Sequence, residues 1–375
     1  MTSLLQLLGE FGNVLQNHLF PALQQELGSM SEYHEQFAAV LALLQLEGVT
    51  SAPRRRGRRG HSRLNIARAF VAKAIFQLPT TRALLDRLKC DTTLRRLCGW
   101  ETAASIPDET VISRAFADFA DTCLAQRAHE ALIQRTQRTR LIGHIVRDAT
   151  AIEARETPQR KTAPKTPRPK SRPNRSLQDM PLDKMTRVER QCSGRLTLQQ
   201  MLAELPAVCD AGCKNDTRGN KSVWVGYKLH LDVADGQIPI SAVLTSASLH
   251  DSQAAVPLAL LTAQRVTNLY DLMDSAYDSF HIRANSRSLN HVPVIEPQKR
   301  GANFVPLSPH ERMRFRERTT IERVFSRLKD EFGGRFVRVR GAAKVMTHVT
   351  FGLLALTADQ ILRLADLHRL KAAPS

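Results

Sequence analysis

The chain is 375 residues long, which is enough for two or three domains that each bury a core of their own. Its 54 lysines and arginines outnumber its 36 aspartates and glutamates, and the net charge of +18 predicts a polyanionic partner, most simply a nucleic acid. No apolar run approaches the ~20 residues of a spanning helix, and the N-terminus lacks the features of a signal peptide, so we expect no membrane partner and no secretion.

The first 50 residues predict two helices, roughly Leu4–Leu15 and Glu32–Leu46. The segment 51–63 then carries five arginines between positions 54 and 59, next to glycines that loosen the backbone. They are Arg54, Arg55, Arg56, Arg58 and Arg59. Arginines in flexible segments bind the DNA backbone or the minor groove, so we favour a DNA-binding arm, with a solvated linker as the alternative.

Residues 63 to about 137 return to a helical pattern. It predicts successive amphipathic helices over 66–78, 80–100 and 108–134, the last of them capped by Asp108. Several short helices in a basic region are typical of a helix-turn-helix module. A purely structural helical domain fits the pattern equally well.

The pattern changes at Leu141, where β-branched alternation predicts a strand that carries Asp148. Aspartate is disfavoured in strands, so its presence there requires a reason. Residues 156–191 predict no core, and their basic, proline-rich start is either a segment that follows a phosphate backbone or a disordered loop. The six cysteines are irregularly spaced, as in a reducing cytoplasm, and Cys209 and Cys213 have no second pair at zinc-ligand spacing.

The remainder predicts alternating strands and helices. Two strands over 223–235 and 238–252 are joined by a turn at Asp235–Gly236, and a strand ending at Asp274 follows a helix. The further predicted elements are helices at about 253–265, 278–289, 315–329 and 345–369, a strand at 291–298, and a basic strand or loop at 336–341.

The helix over 315–329 places its functional residue types together. At about 100° per residue, Phe315, Arg318, Glu322 and Lys329 lie within one arc of about 60°. A carboxylate between two cations, beside a buried face, suits a metal ion and a phosphate substrate. The alternative is a solvated helix surface with i,i+4 ion pairs such as Arg318 with Glu322.

The element order predicts a mixed α/β sheet that carries Asp148 and Asp274 on strands and Glu322 on a crossing helix. Three carboxylates from distant segments can converge at one sheet edge and hold two Mg²⁺ ions. Two such ions would activate an attacking hydroxyl and stabilise a leaving oxygen. His250 and Asp251 follow a strand nearby, and we expect them to have a structural role at the end of a loop.

These residues resemble the signature of insertion-sequence DDE transposases: an aromatic residue, then arginine, glutamate and lysine, here Phe315, Arg318, Glu322 and Lys329. The family usually has tyrosine at the first position, so a hydroxyl is missing here. Segments 147–154 and 273–279 resemble those that hold its two aspartates. Two further segments, 226–230 and 244–253, resemble its strands between those acids.

The resemblance implies an RNase H-like α/β fold, in which a mixed sheet flanked by helices follows an all-helical N-terminal domain. It divides the chain into 1–140, which would bind DNA ends, a catalytic domain at 141–340 with a basic insertion at about 155–222, and a helical segment at 341–375. The catalytic metal ligands would be Asp148, Asp274 and Glu322, with Mg²⁺ as cofactor and Mn²⁺ able to substitute. Phe315, Arg318, Lys329 and the arginine arm would bind DNA.

The implied activity is DNA cleavage and strand transfer at the terminal inverted repeats of an insertion sequence. The partners would be the double-stranded element ends and target DNA, bound by a homo-oligomer in the bacterial cytoplasm at the nucleoid. Two alternatives remain. One is a metal-dependent nuclease that only hydrolyses, and the other is a domesticated or inactive transposase-derived protein that binds DNA.

Overall fold

The computed structural model describes residues 10–50, 60–158, 180–215, 221–298 and 304–372, with side chains described to residue 365. The five arginines of the predicted arm, the basic start of the predicted insertion and the start of the first predicted helix lie outside these residues. The chain forms two compact units. We call Gln137–Phe325 the sheet unit, and Met1–Thr136 with Ser326–Ser375 the helical unit.

The sheet unit is built on six described strands. They are β1 (Leu141–Glu153), β2 (Asp210–Asn215), β3 (Lys221–Ala234), β4 (Ile238–Ser246), β5 (Thr267–Met273) and β6 (Val292–Ile295). The central β1 is antiparallel to β3 and parallel to β5, which is in turn parallel to β6. This mixed order confirms the predicted RNase H-like α/β sheet.

The long β3 changes partner along one of its edges. It pairs with β2 over Lys221–Gly226 and with β4 over Tyr227–Ala234. Gly226, where the change occurs, has φ +150°, and a Cβ atom there would lie 2.2 Å from the carbonyl oxygen of Ile152 in β1. Only glycine therefore allows β3 to remain in register with the strand that carries Asp148.

Short helices flank this sheet. They are Arg187–Cys192, Leu198–Ala203, Ser252–Ala263, Phe280–Ser288, Pro309–Phe315 and Thr319–Asp330, with 3₁₀ turns at Leu182–Lys184, Ser275–Tyr277 and Arg316–Arg318. The unit boundary falls inside the Thr319–Asp330 helix. Its predicted apolar arc is buried, including Ile321, Val324 and Leu328.

The prediction that residues 156–191 lack a core is wrong for their C-terminal part. Met185 is fully buried, and the Arg187–Cys192 helix begins with a capping box formed by Thr186 and Glu189. A second capping box, Thr197 with Gln200, starts the next helix. These pairs satisfy the free N–H groups of each first turn, and so allow short helices to form directly after a basic segment.

The predicted single helix over 315–329 is also corrected. Phe315 ends one helix, and a 3₁₀ turn at Arg316–Arg318 precedes the helix that carries Glu322. A 3₁₀ turn rotates the chain by about 120° per residue, so an angle calculated with α-helical geometry misplaces Phe315 relative to Glu322.

The helical unit contains the predicted N-terminal helices and the C-terminal helix. Its α-helices are Phe20–Leu27, Glu32–Leu44, Glu47–Thr50, Arg63–Ile75, Thr81–Cys90, Thr92–Leu97, Glu109–Asp121, Leu124–Gln137 (its last residue in the sheet unit) and Ala342–Ala372, with a π-helical turn at Leu15–Leu19 and a 3₁₀ turn at Ala103–Ser105. Phe351 of the C-terminal helix packs against Phe70, Phe116 and Phe119, with ring centroids 5.5–6.5 Å apart. Residues 326–375 are part of the same compact unit as the N-terminal helices.

Two predicted helices of this unit are each divided into two. Asp91 interrupts the helix predicted over 80–100, because its carboxylate accepts the N–H of Leu94 at 2.9 Å and caps a new helix. Cys123, with φ +50°, interrupts the one predicted over 108–134.

The predicted Asp108 cap is confirmed, with Val111 N–H donating to it at 2.9 Å. The segment 336–340 is a loop, one of the two forms predicted for it.

One described helix, Ala342–Ala365, is long and apolar enough to cross a membrane, contrary to the prediction that no segment is. In the structure 83% of its apolar window is buried inside the protein. A helix that is apolar on all sides and buried by its own chain is typical of a core helix.

Candidate active site

Asp148 lies in the middle of β1, on the face opposite to its neighbour Arg147. Its side chain is 12% exposed, and its Oδ1 atom accepts the N–H of Ala149 at 2.7 Å. The strand and this hydrogen bond therefore fix the position of the carboxylate. The sequence analysis placed Asp148 in a strand but gave no structural reason for an aspartate there.

Asp274 is held next to Asp148 by the strand register. β1 and β5 are parallel, and Arg147 is paired with Met273. Asp148 and Asp274 directly follow these two residues, so they occupy equivalent positions on neighbouring strands. Asp274 directly follows β5 and caps the 3₁₀ turn, where its Oδ1 accepts the N–H of Ala276 at 3.0 Å. The two carboxylates therefore lie side by side, each with one oxygen held by the backbone.

Arg318 joins these acids to the third one. Its Nη2 atom lies 2.9 Å from Asp148 Oδ2 and 3.6 Å from Asp274 Oδ2. Its Nη1 atom lies 3.5 Å from Glu322 Oε1, one helical turn away. The structure thus brings Asp148, Asp274 and Glu322 together around one guanidinium group, and the i,i+4 pair of the alternative interpretation is part of the same cluster.

The electrostatics of the cluster are dominated by burial. The pKa of Asp148 is raised to about 6, chiefly by burial and also by the nearby Asp274 carboxylate, against the lowering effect of Arg318. Three carboxylates share one guanidinium, so the cluster retains negative charge and is suited to a cation.

The donor set fits a hard divalent cation, because carboxylate oxygens are the ligands that Mg²⁺ prefers. In their present rotamers, the described side chains include no group of three histidine, cysteine, aspartate or glutamate residues placed to hold a metal ion. Glu322 is the acid with freedom to move: its side chain is 62% exposed, against 29% for Asp274 and 12% for Asp148. A metal ion held by all three acids would require Glu322 to turn inward and Arg318 to release the aspartates.

The opposite face of β1 carries a charge pair that the sequence analysis missed. Arg147 makes two parallel hydrogen bonds to Asp232 of β3, at 2.8 and 2.7 Å, and both side chains are almost fully buried. Thr262 donates a third hydrogen bond to Asp232 at 2.6 Å. The sequence did contain an indication of this pair, because both charged residues lie inside predicted strands. The pair joins β1 to β3 on the face opposite the candidate site.

Arg314 is a second residue that the sequence analysis missed. Its guanidinium lies over the ring of Tyr270, 4.0 Å from the ring centroid, and donates to His144 Nε2 at 3.3 Å. His144 in turn donates from Nδ1 to Asp235 at 2.9 Å. This stack holds the end of the Pro309–Phe315 helix on the sheet face that carries Asp148.

The other predicted site residues in the described part of the chain are not members of the acid cluster. Phe315 is half-buried at the end of its helix, and Lys329 is half-buried on the Glu322 helix, in its C-terminal part. Asp251 accepts from Lys228 Nζ at 2.8 Å, and His250 Nδ1 lies 2.8 Å from the hydroxyl of Ser252. The His250 contact is local to the start of the following helix, whereas the Asp251 contact joins that helix to β3; both are consistent with a structural role.

Comparisons with known proteins identify two regions of the chain. The family model described as transposase DDE domain matches residues 140–358, and one described as a transposase domain matches residues 18–118. A search of curated proteins and a search of solved structures found no match. Because the first model covers more than half of the chain and spans the three acids, the chain belongs to the family of transposases with a DDE domain.

Proposed function

We propose that this protein cuts DNA at the ends of an insertion sequence and joins the freed 3′-hydroxyl to target DNA. The observation that carries the proposal is the convergence of Asp148, Asp274 and Glu322 on one guanidinium, beside the paired strands β1 and β5. A cluster with this excess of negative charge, in a protein of net charge +18, suits metal-assisted chemistry on a polyanion.

The three acids are the proposed metal ligands, with Mg²⁺ as the cofactor and Mn²⁺ able to substitute, as the family's dependence on divalent metals implies. When bound, a pair of such ions would supply activation of the attacking oxygen and stabilisation of the leaving oxygen. Asp148 and Asp274 would contribute preformed ligand positions, since the backbone holds one oxygen of each. Glu322 would complete the set by rotation of its exposed side chain.

Arg318 has a double role in this proposal. Without metal it neutralises part of the charge of the aspartates through Nη2. A metal ion would compete for the same carboxylate oxygens, and the released guanidinium would then be available to a DNA phosphate beside the cut. An arginine suits this exchange because its planar group binds carboxylate and phosphate with similar geometry.

The remaining DNA contacts are proposed from the sequence. Phe315 and Lys329 would contact DNA close to the cut, and the arm with Arg54, Arg55 and Arg56 would bind the element ends with the N-terminal helices. Arg58 and Arg59 complete that arm. A homo-oligomer in the bacterial cytoplasm, at the nucleoid, would hold both ends during strand transfer.

The test uses labelled duplexes made from the inverted repeats that flank the gene. We expect Mg²⁺-dependent nicking at a fixed position, which Glu322→Gln abolishes. Glu317→Gln is the matched control, because Glu317 is an exposed glutamate on the adjacent turn, outside the acid cluster, and we expect it to retain activity. Equal nicking by both variants would refute the assignment of the site.

The same assay separates the two alternatives. Cleavage without joining of the 3′-hydroxyl end to a second duplex would identify a hydrolytic nuclease. Binding to the ends without any strand break, in Mg²⁺ or Mn²⁺, would identify a DNA-binding derivative that has lost its chemistry.

A further inference from the structure

The helical unit contains a cavity lined largely by cationic and hydroxyl side chains. Its volume is about 430 Å³, within the range of about 300–1,000 Å³ that is typical of ligand sites. The polar and charged side chains that line it include Lys73, Thr80, Arg338, Arg340, Lys344 and Glu109. All lie in the helical unit, so the cavity is separate from the acid cluster.

Lys73 is the residue that distinguishes this cavity. It lies on the Arg63–Ile75 helix and is only 8% exposed, yet no carboxylate or other hydrogen-bonding partner contacts its ammonium group within the described part of the chain. Burial lowers the pKa of Lys73 to about 8, and no opposing charge compensates for it. An ammonium with so little exposed surface and no counter-charge is costly, and an anion in the cavity would supply the missing charge.

The rim of the cavity adds further positive charge. Arg338, Arg340 and Lys344 are exposed there, and none of them forms an ion pair with another described residue. The acid at the rim, Glu109, faces Arg82 at 3.4 Å, so part of its charge is already offset. The remaining field therefore favours an anion.

The start of a helix adds backbone N–H donors for an oxyanion, and the histidine beside it adds no charge. The ten-residue helix Thr81–Cys90 begins at the cavity, where its free N–H groups and dipole favour negative charge. His348 lines the cavity, and its Nε2 donates to the carbonyl of Gly333 at 3.1 Å. Burial and the charge of Lys73 lower the pKa of His348 to about 3, so this ring is neutral and adds no second buried charge.

We propose that this cavity binds one backbone phosphodiester of double-stranded DNA, with Lys73 as the buried contact and Arg338, Arg340 and Lys344 as rim contacts. The chemistry of the cavity specifies a phosphate group. The choice of DNA as its source rests on the proposed function, whereas the preference for phosphate does not. A buried lysine reached by one phosphate fixes the position of the duplex without reading its sequence.

The experiment compares the full-length chain with Lys73→Met and with Lys89→Met. Lys89 is an exposed lysine of the Thr81–Cys90 helix that does not line the cavity, so the control makes the same change of charge. Affinity for a labelled duplex of arbitrary sequence is measured over a range of salt concentrations. In parallel, the thermal unfolding midpoint is measured with inorganic phosphate and with chloride at equal ionic strength.

We expect Lys73→Met to reduce the slope of log affinity against log salt by about 0.9, the value of one phosphate contact, and Lys89→Met to leave it unchanged. Phosphate should raise the unfolding midpoint of wild type and Lys89→Met but not of Lys73→Met. If Lys73→Met does not fold, the rim variant Arg340→Gln/Lys344→Gln replaces it, since both positions are exposed, and its slope should fall by up to about 1.8.

Three results would overturn the proposal. Phosphate stabilisation that requires Lys73, with an unchanged DNA slope, would show that the cavity takes free phosphate and not DNA. Phosphate stabilisation that is equal in all three proteins would show that the anion binds elsewhere. A wild type that binds no duplex, but is stabilised by phosphate through Lys73, would contradict the proposed function while the cavity's phosphate preference stands.

Discussion

Two adjacent residues of β1, Arg147 and Asp148, face opposite sides of the sheet and have opposite environments. Arg147 makes two parallel hydrogen bonds to Asp232 and is also attracted by the buried carboxylate of Asp271, so its charge is fully compensated. Asp148 shares one guanidinium with two other acids, so the charge on its side is unmatched.

The comparison shows how to separate structural from functional charge in one strand. Both side chains are largely buried, so burial alone does not distinguish them. The difference lies in compensation: a closed pair stabilises the strand arrangement, whereas an open cluster requires a further ion. Breaking the closed pair should therefore affect stability, and breaking the open cluster should affect activity.

The largest effect is expected from Asp148→Asn. This variant removes a proposed metal ligand and should reduce DNA nicking by about 10⁴-fold, on the order of 5 kcal/mol of transition-state stabilisation. Its thermal stability should be unchanged or higher, because it also removes a buried charge. Nicking assays and thermal unfolding on the same preparation test both parts. A variant with a lower unfolding midpoint and unchanged nicking would contradict the comparison.

The reverse result is expected from Arg147→Met. It leaves Asp232 buried without its cation, which should lower the free energy of unfolding by about 3–5 kcal/mol. Replacement of both partners, as Arg147→Met/Asp232→Leu, should restore much of this loss, because the uncompensated carboxylate of Asp232 is removed and Asp271 keeps its contact with His291. Urea denaturation measures the three variants, and a double variant as unstable as the single one would show that the pair is not acting through its charge.

Lys73 extends the comparison to a buried charge that no described group neutralises. Its pKa is about 8 in the folded state and 10.5 when unperturbed, so between these values the unfolded chain holds a proton that the folded chain lacks. Stability should therefore rise with pH across this interval, by on the order of 3 kcal/mol, in wild type but not in Lys73→Met. Urea denaturation at several pH values without phosphate tests this. Parallel curves for the two proteins would mean that Lys73 has a partner.

The sequence predicts the strands that carry Asp148 and Asp274 well, for a physical reason. Asp148 lies in a strand of strongly β-forming residues, and Asp274 lies at the end of another, so strand periodicity and chain order determine where both carboxylates lie. Parallel pairing of the two strands then follows from the RNase H-like arrangement and brings the acids together.

Other features depend on contacts that periodicity does not encode. The 3₁₀ turn at Arg316–Arg318 interrupts a sequence with no proline or glycine, so local propensity gives no sign of it. Lys73 belongs to a helix that reads as amphipathic, and its burial depends on elements from distant parts of the helical unit. Arg147 and Asp232 were missed because their pairing depends on the register of β1 with β3.

The smallest effect, and the sharpest test of the open cluster, is expected from Arg318→Gln. Without the guanidinium, the carboxylates of Asp148 and Asp274 no longer have a competing cation, so Mn²⁺ should bind about tenfold more tightly, or ~1.4 kcal/mol, the scale of one hydrogen bond to a charged group. Nicking should nevertheless fall, because the variant lacks the proposed phosphate contact. Arg316→Gln, an exposed arginine of the same turn, controls for the general loss of positive charge.

Mn²⁺ affinity is measured by calorimetry on the DNA-free protein, which makes the readout independent of cleavage. Tighter metal binding together with slower nicking would separate the two roles of Arg318, since a residue that only stabilised the fold would weaken both. Weaker metal binding in Arg318→Gln than in Arg316→Gln would show instead that the guanidinium orients the acids, and that the cluster needs its arginine in order to hold a cation.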